Sequence, residues 1–299
     1  MKYKAMLKET KETRLLPSLQ TLATELGLTV DVDQKLGLHP DFAHLKYSDQ
    51  IENHFIVSMF VDIKGSTNLF RKYTPETVLI ISNTIQRAAI HTFLLFGGYI
   101  HRLQGDGLFV YFGRKGQSIS DCVCKALQSA SVFTYFVKND LKELFLEQGI
   151  EKINTRIGID LGYDDDVVWA TAGIGEISEV TTCSLHTSLA SKMQGFAETN
   201  GIVIGDYIKN EAESYEEFFT PVCNRTRASS DRYIFEIPDE QFRYTQYDFN
   251  WLSFLKRQSF IATDLNGNLT LKPKAPNKQV YIGQNIQPIA SQNKPYLKL

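Results

Sequence analysis

The strongest constraint on this chain is a pair of acids set into strand-like sequence. Phe55-Ile56-Val57-Ser58-Met59-Phe60-Val61-Asp62-Ile63 is an apolar run of strand length. Its one acid, Asp62, stands just before the turn Lys64-Gly65-Ser66-Thr67. Asp106 occupies Gln104-Gly105-Asp106-Gly107, the turn of an aromatic-rich hairpin predicted over residues 99–112. Alone, each acid reads as turn chemistry: a strand-end Asp is most often a turn or cap residue, and Asp-Gly suits a hairpin. Together they constrain more. An unpaired carboxylate among apolar strands is costly, and two on neighbouring strands repel unless a cation lies between them. Such a pair suits divalent ions that hold a nucleoside triphosphate.

Composition narrows the class. With 299 residues and 43% apolar content the chain can bury a full core. Its net charge of −2 gives no basic field for nucleic acid, so an anionic substrate must be held by local positive groups. Cys122, Cys124, Cys183 and Cys223 form no CxxC pair, and reduced thiols in a cytoplasmic protein account for them. The charged N-terminus lacks the apolar core of a signal peptide. The apolar stretch over residues 93–100 is interrupted by Gly97 and Gly98 and is too short to span a bilayer. A soluble cytoplasmic protein with no membrane or nucleic-acid partner is expected.

Leu15, Leu19, Leu22, Ala23 and Leu26 fall at helical spacing before Gly27, and residues 29–49 are loop-like. Residues 1–50 therefore read as a helical and loop extension packed on the domain behind it. From residue 51 the element types alternate. The strand over residues 55–63 leads through Gly65 into a helix opening at Ser66 or Thr67. Pro75 and Glu76 open a second helix to about Leu95, and the hairpin follows. One long helix is predicted over residues 120–147, then strands over 155–161 and 167–172 on either side of Asp164-Asp165-Asp166. A helix over 185–199, a strand over 202–204, a short helix over 207–211 and a late strand over 231–237 complete the order. This predicts an α+β domain, residues 51–240, whose mixed sheet is covered by helices. Residues 241–299 read as a C-terminal extension: a short helix around Trp251, Phe254 and Leu255, a turn over 264–269, and a Lys-, Pro- and Asn-rich end from Lys272.

The Asp-Ile-Lys-Gly-Ser-Thr turn and the later Gly-Asp-Gly together resemble the class III nucleotide cyclases, the family of the adenylate and guanylate cyclases, over about residues 56–238. The chain is also similar in size to the bacterial pyrimidine cyclases of the Pycsar antiphage systems. The resemblance implies a ferredoxin-like βαββαβ core with a mainly antiparallel sheet. It implies a lyase reaction in which the ribose 3′-hydroxyl attacks the α-phosphorus and expels pyrophosphate. Two divalent ions, Mn²⁺ or Mg²⁺, are then expected on Asp62, Asp106 and the Ile63 carbonyl. Gly65, Ser66 and Thr67 would offer backbone N–H groups to the phosphates. The family's sites lie between two subunits, so a homodimer is implied.

Carried across by position, the base-reading lysine of adenylate cyclases falls on Arg102 and the adenine-reading aspartate on Thr181. The asparagine and arginine that steady ribose and α-phosphate fall on Ser188 and Lys192. All are departures: Lys192 keeps the charge without the bidentate fork, and Ser188 keeps only a hydroxyl. Arg102 offers donors alone and so prefers a carbonyl such as uracil O4, while the acid that would accept from an exocyclic amine is missing. A long arginine also fills the room a purine needs. UTP is the expected substrate, with CTP next and a purine behind. The cyclic product would act as a second messenger on a separate effector in antiphage defence. The competing expectation is a degenerate nucleotide-binding regulatory module, against which both acids speak. No Walker loop or Gly-Gly-Asp/Glu-Glu-Phe-like turn is present.

Lys64, Arg71, Lys72, Arg225 and Arg227 are secondary candidates for phosphate contact. His91 and His101 lack ligand-spaced partners and read as structural, and Trp169 and Phe109 as core or interface.

Overall fold

The computed structural model describes residues 17–271, apart from Thr29, Asp31 and Asn266. Leu15 and the end from Lys272 lie outside the described residues. The first half of the chain forms α1 (Pro17–Leu26), β1 (Glu52–Asn53), β2 (Ile56–Ile63), α2 (Pro75–Leu95), β3 (Tyr99–Gln104), β4 (Gly107–Phe112), α3 (Ile119–Lys138) and α4 (Asp140–Glu147). Then come β5 (Thr155–Gly162), β6 (Val168–Ile174), β7 (Ile177–Cys183), α5 (Leu185–Phe196), β8 (Gly201–Gly205) and α6 (Asp206–Glu211). Last are β9 (Phe219–Pro221), α7 (Val222–Thr226), β10 (Tyr233–Ile237), β11 (Phe242–Phe249), α8 (Trp251–Lys256), β12 (Ile261–Thr263) and β13 (Leu269–Leu271).

The central sheet runs β10-β11-β8-β5-β2-β4-β3, with β9 beside β11. Its β5–β8 ladder is parallel and its others antiparallel. Strand alternation sends Val57, Met59, Val61 and Ile63 to the face covered by α2 and α3, where Ile81, Ile85, Phe93, Val123 and Phe133 complete the main core. Ile56 and Phe60 point the other way, toward Phe42, Leu45, Tyr111 and Trp169. Burial on both faces is why β2 reads as a continuous apolar run.

Helix α2 is capped by the Thr74 hydroxyl, which accepts from the Thr77 N–H, and has Pro75 in its first turn. By length and composition it could cross a bilayer, but 61% of that window is buried inside the protein, as in a core helix. On the opposite face α5 lies directly across β5. It can do so because residue 158 is glycine: a Cβ there would stand 2.9 Å from the Gln194 Cα. Beside α5 sits a smaller sheet, β1-β6-β7.

Several elements differ from the sequence reading, each for a local reason. Residues Ser66–Arg71 form a short 3-10 helix entered through Gly65, not an α-helix, because Thr74-Pro75 starts the next helix and leaves too few residues. The long helix over 120–147 is two helices broken at Asn139 (φ −118°, ψ −82°). Its Nδ2 donates to the Tyr135 carbonyl at 2.8 Å, a side-chain bond that competes with helix continuation. The sequence reading assigns no element to residues 177–183, where β7 pairs with β6 outside the central sheet. The central sheet also continues past residue 240: β11 is inserted between β10 and β8, and Tyr244 on it is buried. At the other end, Phe42 and Leu45 are fully buried, with Phe42 stacked on Trp169 at 4.1 Å between ring centroids. Trp169 and Phe109 are core residues.

Candidate active site

The β2–β4 ladder sets Val61 opposite Leu108, so the β3–β4 turn carries Asp106 alongside Asp62. One oxygen of Asp106, Oδ2, is buried without a hydrogen-bond partner. Burial holds the Asp106 carboxyl above its ordinary pKa and the Asp62 charge adds to this, while the Ser66 side chain opposes it. An unmet buried acceptor costs about 1–3 kcal/mol, and a polar group kept in that state calls for an absent partner. Asp62 by contrast is engaged: Arg156 Nη2 donates to its Oδ2 at 2.8 Å, and Gln194 Nε2 to the same oxygen at 3.2 Å. Arg156 stands opposite Asp62 in the β2–β5 register, and Gln194 comes from α5. Neither was singled out from the sequence. The available signal for Arg156 was its place at the end of the predicted strand over 155–161, level with Asp62 once the two strands pair.

Among the described residues no group of three or more His, Cys, Asp and Glu side chains converges. A closed protein cage for a metal is therefore absent there, whereas two carboxylates that leave most positions to water and phosphate are the donor set a small hard cation uses. The orphaned Asp106 oxygen fits that donor set.

A second cluster lies where β3 approaches β7. Arg102 pairs with Glu179, its Nε 3.2 Å from Oε2 and its Nη2 against Oε1. Thr181 Oγ1 lies 3.1 Å from Nε2 of the fully buried His101. Burial lowers the His101 pKa to about 3, so the ring is neutral at ordinary pH. Glu179 and Thr181 alternate onto one face of β7. The sequence reading found no acid at this end of the site. The structure supplies one, two residues before Thr181, on a strand that went unrecognised.

Ser188 and Lys192 are exposed on α5, one turn apart, and the Ser188 hydroxyl donates to its own helix at the Ser184 carbonyl. Gly65, Ser66 and Thr67 border the acid pair at the start of the 3-10 helix. Arg225 is occupied by Asp248 in a fork of 2.8 and 3.0 Å and by the Phe196 carbonyl, and Lys72 pairs with Glu151. Among the described residues no hydrogen bond or ion pair ties the acid pair to the Arg102–Glu179 cluster.

The sheet order, its helical cover and the placement of the acid pair define the catalytic-domain fold of the class III nucleotide cyclases. The adenylyl cyclase CyaB from P. aeruginosa shares that fold at a TM-score of 0.55, over 67% of this chain and 95% of that one, at 20% identity. No family model matches the chain. In sequence it is similar to a cytidylate cyclase of Staphylococcus aureus, 35% identical over 256 residues, and to one of Escherichia coli, 32% identical over 228 residues. The matches cover 85% and 74% of this chain but 60% and 49% of those relatives. By fold the chain is built like the catalytic domains of the class III nucleotide cyclases, and in sequence it is similar to the pyrimidine cyclases among them, of which it spans about half to three fifths of the length.

Proposed function

We propose that the protein converts a pyrimidine nucleoside triphosphate, CTP ahead of UTP, to its 3′,5′-cyclic monophosphate and pyrophosphate. The observation that carries this reading is the Asp62–Asp106 pair with its orphaned buried oxygen. Bound Mn²⁺ or Mg²⁺ would supply positive charge to the triphosphate and make the 3′-hydroxyl more acidic. Asp62, Asp106 and the Ile63 carbonyl are the groups to hold those ions. The O3′–P bond forms as the bond from the α-phosphorus to the bridging oxygen breaks. Pyrophosphate leaves, and the hydroxyl proton passes to solvent. Until substrate arrives, Arg156 balances the charge on Asp62. Gly65, Ser66 and Thr67 present N–H groups to the phosphates, Lys192 faces the charge that grows on the α-phosphate, and Ser188 holds the ribose.

The base preference follows from Glu179. The argument for UTP was that no acceptor faced an exocyclic amine, and Glu179 beside Arg102 removes it. Cytosine can give its amine to Glu179 and take a donor from Arg102 at N3 or O2. The relatives' name, cytidylate cyclase, agrees. Incubation with Mn²⁺ and each of ATP, GTP, CTP and UTP, with products identified by mass and Asp62→Ala as control, should give mainly cyclic CMP. Cyclic UMP as the main product would reverse the order, cyclic AMP or GMP would overturn the pyrimidine pocket, and no product at all would favour the degenerate binding module.

The separation of the acid pair from the base-reading pair supports a homodimer whose sites form across the interface. At the tip of the β6–β7 hairpin Ile174 and Ile177 are 80% and 85% exposed, a bare apolar tip suited to a partner surface. Ile174→Asp with Ile177→Asp is expected to weaken self-association by roughly two orders of magnitude and to lower activity in parallel. Sedimentation checks this, and a fully active monomer would sink the shared site. The described cysteines are free thiols, which suits the cytoplasm. A separate effector that reads the cyclic product, in antiphage defence, completes the proposal by resemblance.

A further inference from the structure

Arg102 and Glu179 belong to different sheets. β3 is an edge strand of the central sheet and β7 an edge strand of the smaller one. Residues 34–38 run between these two edges. The Gly37 N–H donates to the His101 carbonyl at 2.9 Å, and the Gly37 carbonyl accepts from the Val180 N–H at 2.7 Å. The Leu38 N–H donates to the Tyr99 hydroxyl at 2.6 Å, and that hydroxyl donates to the Lys35 carbonyl at 2.6 Å. Gln34 Oε1 accepts from the Ile100 N–H at 3.4 Å. These bonds land beside the pair: His101 precedes Arg102, and Val180 follows Glu179.

Two further features tighten the link. The β3–β4 ladder slips between Ile100 and Arg102, a bulge at His101 of the kind that re-aims the next side chain. Gly37 itself is buried at φ +64°, and a Cβ there would stand 2.8 Å from the Glu179 Cβ. A side chain at 37 must displace Glu179 or be displaced by it.

We infer that residues 34–38 clasp the two sheet edges and set the spacing of Arg102 and Glu179, with Gly37 as a positioning residue for base selection. The inference rests on the proposed reading of that pair. The segment thus acts on the site from outside the catalytic core, where the sequence reading assigned it no role beyond packing. Because the segment's two bonds at Gly37 are backbone to backbone and the close contact is made by a missing side chain, residue types alone do not advertise it.

The test uses the full chain with Mn²⁺ and measures kcat and KM for CTP and UTP separately. Gly37→Ala is expected to raise KM for the preferred nucleotide by on the order of tenfold or more, and to change the CTP/UTP ratio of kcat/KM, through a displaced carboxylate. Gly116→Ala is the control, since Gly116 has φ +84° with nothing within 4 Å of its added Cβ. It bears the same backbone strain without the contact and should change neither quantity by more than about twofold. Glu179→Ala should itself move the ratio, and Gly37→Ala should add nothing further in that background. If Glu179→Ala moves the ratio and Gly37→Ala behaves like Gly116→Ala, the clasp is overturned while the base-reading pair stands. If Glu179→Ala leaves the ratio unchanged, the pair is not the base reader and the clasp falls with it. Should Gly37→Ala fail to fold, Tyr99→Phe cuts the bonds to Leu38 and Lys35 without adding bulk. It is expected to shift the ratio, and an unchanged ratio overturns the clasp.

Discussion

Asp106→Ala is expected to lower turnover by roughly three orders of magnitude or more, a loss typical of removing a group that holds transition-state charge. Asp62→Ala should do the same. The informative contrast is stability. In the metal-free protein Asp106 is an acid with a buried, unpartnered oxygen next to a second acid, so ionising it works against the fold. Asp106→Asn removes that charge and lets the amide donate toward Asp62. It should therefore raise metal-free stability by about 1 kcal/mol, the value of a hydrogen bond to a charged group discounted for partial exposure. The sign with pH follows from the raised carboxyl pKa. Below the ordinary aspartate range Asp106 is protonated in both folded and unfolded chains, and the parent loses nothing. As pH rises through the elevated folded value the parent is destabilised and the variant is not. Mn²⁺ should reverse the ranking, because an ion bound only by the folded parent adds stability by mass action. Melting curves with and without Mn²⁺ check this, and a variant as inactive as expected but still stabilised by Mn²⁺ would place the metal elsewhere.

Asp62 and Asp106 were legible in the sequence because each carries its own local signature: a lone acid ending an apolar strand, and an acid between glycines in a hairpin. The fold class was legible for a related reason, since helix caps, glycine turns and strand alternation are written over short windows. Glu179 and Arg156 were not. What gives them meaning is register between strands far apart in the chain, Arg156 opposite Asp62 and β7 brought up to β3. Strand β11 escaped for a similar reason. Gln246 on it is fully buried, its Nε2 donating to the Asp231 carbonyl while its Oε1 has no partner, so its polar residues read as extension rather than sheet. The break at Asn139 is the opposite case. A single side-chain bond to Tyr135 overrode a helical pattern that was otherwise continuous.

Co-expressing Asp106→Ala with Arg102→Ala, each dead alone, is expected to restore about a quarter of the parent activity. The two residues sit on the same β3–β4 hairpin, so sequence distance would place them in one site. The structure points them apart. Arg102 is drawn past the His101 bulge to Glu179 on the smaller sheet, while Asp106 turns to Asp62 and Ser66. In the proposed twofold dimer the acid pair of one subunit would face the proposed base-reading pair of the other. With random assortment half the dimers are mixed. Each mixed dimer has one site with both defects and one with neither, which gives the quarter. Assortment during synthesis removes any dependence on later subunit exchange. A return of activity accompanied by the parent's CTP/UTP ratio identifies the restored site as an undamaged one. If mixed dimers form and are isolated but show no activity, Asp106 and Arg102 act within one chain, and the separation of the two clusters needs another cause. That result would leave the acid pair as the catalytic centre and remove the reason for assigning the Ile174–Ile177 tip to dimerisation.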